Sequence, residues 1–123
     1  MRPNFIKPDS IVGKLLAEHH MSFIAFSPLR QGILLDKFDL ENPPQFEEGD
    51  VRRTNPRFQP KSLRPLKPKL AQLKARFGAT TEDLAAVALR YVLNHLNVAC
   101  VIPGFRNKRQ GAFNLEGDEP SVE

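Results

Sequence analysis

Apolar residues along the chain fall into continuous runs that alternate with segments of helical spacing. The runs at 22–26 and 98–102 predict two strands, and their continuity indicates strands covered on both faces, as in parallel sheets. Apolar residues recur every three or four positions in 11–16, 66–77 and 84–96, which predicts a helix in each segment. The last of these is apolar on most sides, so we expect it to be buried between the sheet and another helix. The pattern indicates an α/β protein.

Capping residues mark the ends of the predicted helices. Asp9 or Ser10 can accept hydrogen bonds from the first turn of the first helix, which should extend to about residue 20. Gly78 ends the second helix, because glycine adopts the conformations found just beyond a helix C-terminus. Thr80 and Asp83 have the spacing of a capping box. The third helix should therefore begin directly after Thr80.

The second strand is followed by a turn and a short helix with the features of an anion site. Gly104 ends the strand, and Asn107 can cap a helix whose free N–H groups and positive dipole end face the space above it. Arg106 lies beside this helix start, and Gln110 and Asn114 can project from one helical face toward the same ligand. A phosphate group on a small molecule would fit here. A basic surface helix that closes a domain explains the same spacing equally well.

The segment 39–60 is polar, rich in proline and without periodicity, which predicts a long loop. Its acidic residues Glu47, Glu48 and Asp50 could suggest paired carboxylates for acid–base chemistry. A solvated acidic run is the more common outcome in a loop, so we assign these residues no chemistry.

Charge and hydropathy narrow the classes of partner. The net charge is +4, but Lys and Arg are spread over the loop, one helix and the candidate anion site. They therefore do not form the continuous basic surface expected of a nucleic-acid-binding protein. No apolar run reaches membrane-spanning length, and the N-terminus lacks the apolar core of a signal peptide. We therefore predict a cytoplasmic protein with neither a nucleic-acid nor a membrane partner.

Several side chains of reactive or metal-binding types are assigned structural roles. Cys100 lies within the second apolar run, where a small buried hydrophobic residue is expected. His19 and His20 are adjacent, so they point in different directions and cannot form a metal pair on one helix face. Tyr91 and His95 are four residues apart and can touch, and packing within the buried helix is their expected role. No metal site is predicted.

The segment 102–115 reads I-P-G-F-R-N-K-R-Q-G-A-F-N-L and resembles the cofactor-phosphate segment of the aldo-keto reductases. That family has the form I-P-G-[ST]-R-N, followed by Gln and then by Asn-Leu. The resemblance implies that Arg106, Gln110 and Asn114 grip the adenosine 2′-phosphate of NADP beside the turn at Gly104. Phe105 departs from the family, which usually has a hydroxyl residue there. We therefore expect one polar contact fewer and a looser grip on NADP(H).

The segment 23–38 reads F-I-A-F-S-P-L-R-Q-G-I-L-L-D-K-F and is similar to a second stretch of that family, [FI]-x-A-[YF]-S-P-L-x-x-G-x-L-x-G-K-[FY]. The resemblance implies that this is the seventh barrel strand with its loop, and that Phe26 stacks on the nicotinamide ring. Ser27, Pro28, Leu29 and Gly32 would hold the pyrophosphate and ribose, largely through backbone groups. An aromatic residue at the C-terminal end of a barrel strand lies where ligands bind, and glycine lets the backbone approach a phosphate.

The loops depart from the family in two places. Arg30-Gln31 replaces the common Gly-Arg, and Asp36 replaces the glycine that the family usually has directly before the position of Lys37. We therefore expect a stiffer loop. The segment 50–58 is similar to the family signature D-x-R-R followed by x-P-R-F, in a loop that folds over the bound cofactor. We expect this loop to become ordered on binding, at an entropic cost.

The resemblance implies that residues 1–123 form a single partial domain, the C-terminal strands and helices of a (β/α)8 TIM barrel with its cofactor-binding segment. A complete barrel has eight strands and about 250 residues, whereas two strands are predicted here. The family's catalytic Asp, Tyr, Lys and His lie on earlier strands, in segments that this sequence lacks. We therefore assign no catalytic residue. A free-standing reading frame, a truncated gene product and a fragmentary gene model are all compatible with the sequence.

Two classes of function follow from this partial barrel. The first is the NADP(H)-binding portion of an oxidoreductase that reduces carbonyls to alcohols, inert alone or active when another chain supplies the catalytic half. The second is a non-catalytic interaction protein, or a product without a retained role. Open strand edges offer unpaired backbone groups, so a complementary chain or a second copy is an expected partner besides the nicotinamide cofactor. The carbonyl substrate is not specified, because other loops of the family form its pocket.

Overall fold

In a computed structural model of the protein, residues 7–116 are described. The ends of the predicted domain, residues 1–6 and 117–123, lie outside the described residues. Between them the chain forms two strands, five helices and three short 3₁₀ turns. They are α1 Ile11–Glu18, β1 Phe23–Phe26, α2 Pro60–Leu63, α3 Lys67–Phe77, α4 Thr81–Leu93, β2 Val98–Ile102 and α5 Lys108–Glu116, with turns at Arg30–Leu35, Pro56–Phe58 and Arg64–Leu66. The predicted order of strands and helices is confirmed, except that the four-residue helix α2 was not predicted.

The two strands form a parallel sheet, as the apolar runs predict. Ile24 pairs with Cys100 and Phe26 with Ile102, after an irregularity at the start of β1. Because the strands are parallel, their carboxyl ends lie at the same edge, and the turns that follow them lie side by side. This edge positions the candidate site.

One face of the sheet is covered and the other is open, which corrects the expectation of strands covered on both faces. Ala25 is only 1% exposed, on the face against which α4 packs. On the opposite face Ile24, Phe26 and Ile102 are each more than half exposed, and Cys100 is exposed as well. Within residues 7–116 no layer packs on this face. The prediction that Cys100 is a buried hydrophobic residue is therefore wrong.

Local capping signals set the helix boundaries as predicted. Ser10 caps α1, and its Oγ accepts a hydrogen bond from the Gly13 N–H at 3.0 Å. α3 ends at Gly78, which has φ of 113°. At the start of α4, the Thr80 Oγ accepts from the Asp83 N–H and the Asp83 carboxylate accepts from the Thr80 N–H, both at 3.0 Å. The capping box is confirmed.

Tyr91 and His95 touch as expected, but at the surface of α4 rather than in its interior. Their rings meet edge to face with centroids 5.1 Å apart, and His95 Nδ1 lies 2.9 Å from the Tyr91 carbonyl oxygen. Tyr91 is 53% exposed. The buried face of the helix consists instead of Leu84, Ala85 and Leu89. The prediction that Tyr91 packs within a buried helix is therefore wrong, because its side chain lies on the face of α4 turned away from the sheet.

The long loop has an aromatic core of its own. Phe58 is buried, and the rings of Phe38 and Phe46 pack edge to face against it, with centroids 5.3 and 5.2 Å from that of Phe58. Ile33 and Leu63 complete the buried cluster. No strand or helix lies within 39–55, which agrees with the predicted loop. The end of the predicted loop is structured, because a 3₁₀ turn at Pro56–Phe58 and the start of α2 at Pro60 fall within 39–60. The aromatic packing gives the loop an anchor in the structure, and the ordering of the loop on cofactor binding stays a prediction.

Candidate functional site

A cavity of about 590 Å³ opens at the carboxyl ends of β1 and β2. Its walls come from the turn after each strand, the start of α4, one face of α5 and a short part of the long loop. The structure brings eight of the nine predicted cofactor-binding residues to this cavity. They are Ser27, Pro28, Leu29, Gly32, Gly104, Arg106, Gln110 and Asn114.

Phe26 is the predicted residue that does not line the cavity. Its side chain is 64% exposed and lies at the end of β1, paired with Ile102 on the open face of the sheet. The Phe26 ring lies at the edge of the sheet where the cavity opens, but on the face of β1 opposite to the cavity. The cavity and Phe26 therefore lie on either side of the β1 carboxyl end.

The turn after β1 is unusually rich in left-handed backbone. Ser27, Arg30 and Gln31 have φ between 48° and 58°, and Gly32 has φ of 92°. Such conformations are strained for residues other than glycine. A Cβ on Gly32 would lie 2.8 Å from Lys37 Cε, so glycine lets the Lys37 side chain cross the turn and reach the cavity.

Hydrogen bonds fix the turn after β2 and the start of α5. The Asn107 Oδ1 accepts from the Gln110 N–H at 2.9 Å, which confirms the predicted cap. The Gln110 Oε1 accepts from the Arg106 N–H at 2.8 Å, so this oxygen is committed to the turn rather than to a ligand. The first N–H groups of a helix have no acceptor within the helix, so those at the start of α5 are available to an anion.

Asn114 presents a buried donor to the same cavity. Its Nδ2 is buried and has no hydrogen-bond partner among the described residues. A buried polar group without a partner costs roughly 1–3 kcal/mol, so such groups are uncommon unless a ligand or water completes them. The side chain is therefore placed to donate to an acceptor inside the cavity.

Four cationic side chains and two carboxylates line the cavity. The cations are Lys37, Arg52, Arg106 and Arg109, and the carboxylates are Asp50 and Glu82. Their positive excess suits a ligand with several negative charges. Burial and the nearby guanidinium groups of Arg106 and Arg52 lower the pKa of Lys37. A bound anion would relieve this crowding of positive charge.

Asp50 joins the long loop to the turn after β2. Its carboxylate accepts from the Arg52 Nε at 2.9 and 3.1 Å and lies 4.0 Å from an Arg106 guanidinium nitrogen. The hydrogen bonds from Arg52 lower the pKa of Asp50 to about 2. Arg52 also lies over the Phe46 ring, with Cζ 4.5 Å from the centroid. The aromatic core thus positions an arginine at the cavity.

A second ion pair joins α5 to α4. Arg109 lies 2.9 Å from the Glu82 carboxylate at the rim of the cavity. The Thr81 hydroxyl donates to Glu82 at 2.7 Å and is the main cause of the lowered pKa of that carboxyl. The pair is largely exposed, so its contribution to stability is small.

Sequence reasoning missed Lys37 and Arg52 as cavity residues. Both residues belong to the family motifs quoted above. Lys37 lies near the end of the segment 23–38, and Arg52 is the first arginine of D-x-R-R. The missing information was the path of the loop, which depends on packing among Phe38, Phe46 and Phe58. Those residues are distant in sequence from the strands, so no local pattern revealed it.

Asp36 connects the turn after β1 to α3. Its backbone is left-handed, with φ of 51°, at the position where the family motif quoted above has glycine. Its carboxylate pairs with Lys67 at 2.7 Å and with Lys74 at 2.6 Å. This three-residue cluster, Asp36, Lys67 and Lys74, is called the lysine clamp below. It holds the segment that carries Lys37 against the helix.

Within the described residues, two further kinds of feature are absent. No helix has the length and apolarity needed to cross a lipid bilayer. No group of three or more His, Cys, Asp or Glu side chains is arranged to hold a metal ion.

Parallel strands with a cationic cavity at their carboxyl ends are typical of the ligand-binding edge of α/β proteins. Residues 4–116 match the Aldo/keto reductase family, and the chain belongs to that family. The family implies a TIM barrel, and the two-stranded parallel sheet with five helices in residues 7–116 is consistent with part of one.

Curated relatives are oxidoreductases. An uncharacterized oxidoreductase of Mycobacterium bovis and two of Mycobacterium tuberculosis are each 40% identical to this chain over 92 residues. The matched region is 75% of this chain but only 27% of each relative, so the chain spans about a quarter of their length. No solved structure matches the chain significantly.

Proposed function

We propose that this chain is the NADP(H)-binding portion of an aldo/keto reductase-type oxidoreductase, and that the cavity holds the phosphates of the cofactor. The observation that carries the proposal is the convergence of Lys37, Arg52 and Arg106 on the N-terminal turn of α5. Guanidinium groups can bind phosphate oxygens in bidentate fashion, and a helix N-terminus adds N–H donors and a favourable dipole.

Two features of the free protein support the fit of a dinucleotide. A Cβ on Gly104 would meet no atom of the described residues within 4 Å, so space for a ligand reaches the bare backbone of this turn. The buried Nδ2 of Asn114 supplies a donor that lacks an acceptor in this part of the chain. Both features lie on the cavity wall, on either side of Arg106 in sequence.

Each part of the cavity would then have a role. Arg106 would hold the adenosine 2′-phosphate, and the turn from Ser27 to Gly32 would hold the pyrophosphate and ribose with help from Lys37. Phe26, across the strand end, would contact the nicotinamide ring. The bound cofactor supplies a hydride for reduction of a carbonyl. The chain orients that cofactor at the carboxyl ends of β1 and β2.

We further propose that the chain alone does not reduce carbonyls. Reduction to an alcohol needs a positioned proton donor beside the hydride. Tyr91 is the single tyrosine of the sequence, and it lies on the exposed face of α4, outside the cavity lining. Pure chain mixed with NADPH and an aldehyde should therefore leave the NADPH absorbance unchanged. Steady oxidation that depends on the aldehyde would contradict this part of the proposal.

Titration calorimetry of the full chain with NADP⁺ and NAD⁺ tests the site. Arg106→Ala should weaken NADP⁺ binding by about one to two decades, because a charge-assisted contact contributes roughly 1.5–3 kcal/mol, and should leave NAD⁺ binding nearly unchanged. Lys108→Ala is the matched control, since it removes the same charge from the same helix start but does not line the cavity. Equal affinity of the unsubstituted chain for both cofactors would refute the assignment, as would equal losses in the two variants.

A second candidate function rests on the open face of the sheet. Ile24, Phe26 and Ile102 form an exposed apolar face on two strands whose outer edges are unpaired within residues 7–116. Such edges and faces favour association with a complementary chain or a second copy. Light scattering on a size-exclusion column over a range of concentrations tests this. A mass that stays at 13.9 kDa at every concentration would contradict self-association.

A further inference from the structure

Phe105 lies at the rim of the cofactor cavity with most of its ring uncovered. The side chain is 67% exposed. Gly111 of α5 lies beneath it, where a Cβ would be 3.7 Å from the ring carbon Cδ2. The ring is therefore supported by the helix on one side and remains available for contact on the rest of its surface.

The same ring separates the cofactor cavity from a second, apolar cleft of about 380 Å³. Phe105 and Asn114 line both spaces. The wall of the second cleft is otherwise built mainly from aliphatic residues of α4, β2 and α5, including Leu89, Val101 and Leu115. The junction thus combines an exposed aromatic ring, an apolar floor and the buried Nδ2 of Asn114 that lacks an acceptor.

This combination matches the chemistry of a purine base. Bases stack on aromatic side chains, and their ring nitrogens accept hydrogen bonds from amide donors. Arg106 follows Phe105 directly in sequence and lines the polar cavity. A nucleotide with its phosphate at Arg106 therefore has its base within reach of the ring at the junction.

We propose that Phe105 is the stacking surface for the adenine base of the dinucleotide, and that the lack of a hydroxyl at this position narrows the preference for NADP(H) over NAD(H). This rests on the proposed function. An aromatic ring in place of a hydroxyl gives up one donor to the 2′-phosphate and gains contact with the base. The lost donor weakens only NADP(H). The gained stacking strengthens both cofactors equally, because both carry adenine, so it leaves the ratio of their affinities unchanged. The lost donor alone therefore narrows the preference for NADP(H).

Calorimetry with cofactor fragments separates the base contact from other effects. Phe105→Ala should weaken NADP⁺, NAD⁺ and AMP by a similar factor, about tenfold, and should leave nicotinamide mononucleotide unchanged. Phe105→Tyr keeps the ring and should bind all four ligands like the unsubstituted chain. Phe105→Ser should weaken AMP equally but raise the ratio of NADP⁺ to NAD⁺ affinity, because its hydroxyl can donate to the 2′-phosphate.

Phe77→Ala is the matched control, since it removes a partly exposed phenylalanine at the end of α3, outside both cavities. Circular dichroism verifies that each variant is folded. Unchanged AMP affinity in Phe105→Ala, or an equal loss for nicotinamide mononucleotide, overturns the stacking role. If Arg106→Ala loses NADP⁺ preference while Phe105→Ala binds normally, the proposed function stands and this inference fails. If the unsubstituted chain binds none of the four ligands, both fail.

Discussion

Replacing Asp36 by Asn tests how strongly the lysine clamp holds the turn after β1. Asn has nearly the same shape and tolerates left-handed backbone, so the φ of 51° at this position is retained. The substitution removes the negative charge that Lys67 and Lys74 share. Both ammonium groups then lose their ion-pair partner. The expected result is a folded protein of lower stability.

The size of the expected stability loss follows from how deeply the three side chains of the lysine clamp are buried. The Asp36 side chain is 12% exposed and the two lysines are about 30% exposed, so the clamp lies between a surface and an interior ion pair. Exposed pairs contribute up to about 1 kcal/mol, and breaking a fully buried pair costs roughly 3–5 kcal/mol. We expect a loss of about 2 kcal/mol in the free energy of unfolding. In a protein of this size that corresponds to roughly 8 °C in Tm.

Thermal and urea unfolding followed by circular dichroism measure the loss. Glu48→Gln is the control, because it removes one carboxylate from an exposed position in the loop. In a double-mutant cycle, Lys74→Met should lose little further stability once Asp36 is neutral, since their contributions are coupled. Equal Tm values for Asp36→Asn and the unsubstituted protein would refute the clamp. So would a cycle with no coupling energy.

The clamp also predicts a dependence on pH. Burial opposes ionisation of Asp36, but hydrogen bonds and charge interactions with Lys67 and Lys74 outweigh it, so its pKa lies below the ordinary 3.8. A carboxyl with a depressed pKa stabilises the fold fully above its ordinary pKa and loses that contribution as pH falls through the native value. The stability gap between Asp36→Asn and the unsubstituted protein should therefore close in acid below about pH 3.8. A gap that persists at the lowest pH would contradict this.

Two further predictions concern single positions. Gly78→Ala should destabilise the fold far more than Gly49→Ala, although both glycines have positive φ. A Cβ on Gly78 would lie 2.3 Å from an Asp83 carboxylate oxygen, whereas one on Gly49 would meet nothing within 4 Å. Equal losses of stability in urea unfolding would refute this steric argument. In a carbon-13 NMR titration the Asp50 carboxyl should titrate near pH 2. Its ion pair with Arg52 should therefore persist through mild acid and be lost only as pH falls through that value. A titration midpoint near 3.8 would show that the pair does not form.

The helix ends and both turns could be predicted from sequence because their signals are local. The capping box of Thr80 and Asp83 and the cap at Asn107 each depend on residues three apart. The strands were visible as apolar runs, and parallel strands bring the turns that follow them to one edge. The positions of Gly32 and Gly104 in the cavity wall therefore followed from chain order and from the two family motifs.

Burial could not be predicted in the same way, since it depends on what packs from elsewhere in the chain. The apolar character of Cys100 and Phe26 is the same whether a layer covers their face of the sheet or not. Likewise, nothing local indicates that Phe46 and Phe58 pack together and so bring Arg52 to the cavity. The position of a predicted residue at the cavity was thus most accurate where the backbone alone sets it.

The exposed thiol on the open sheet face has a practical consequence. Cys100 is the single cysteine of the sequence, so a maleimide dye would label one defined position without any engineered residue. Its neighbours on that face, Ile24 and Ile102, are apolar, and a solvent-sensitive dye placed between them would change its emission when another surface covers them. The natural sequence therefore carries its own attachment point for an optical sensor of contacts made by this side of the sheet.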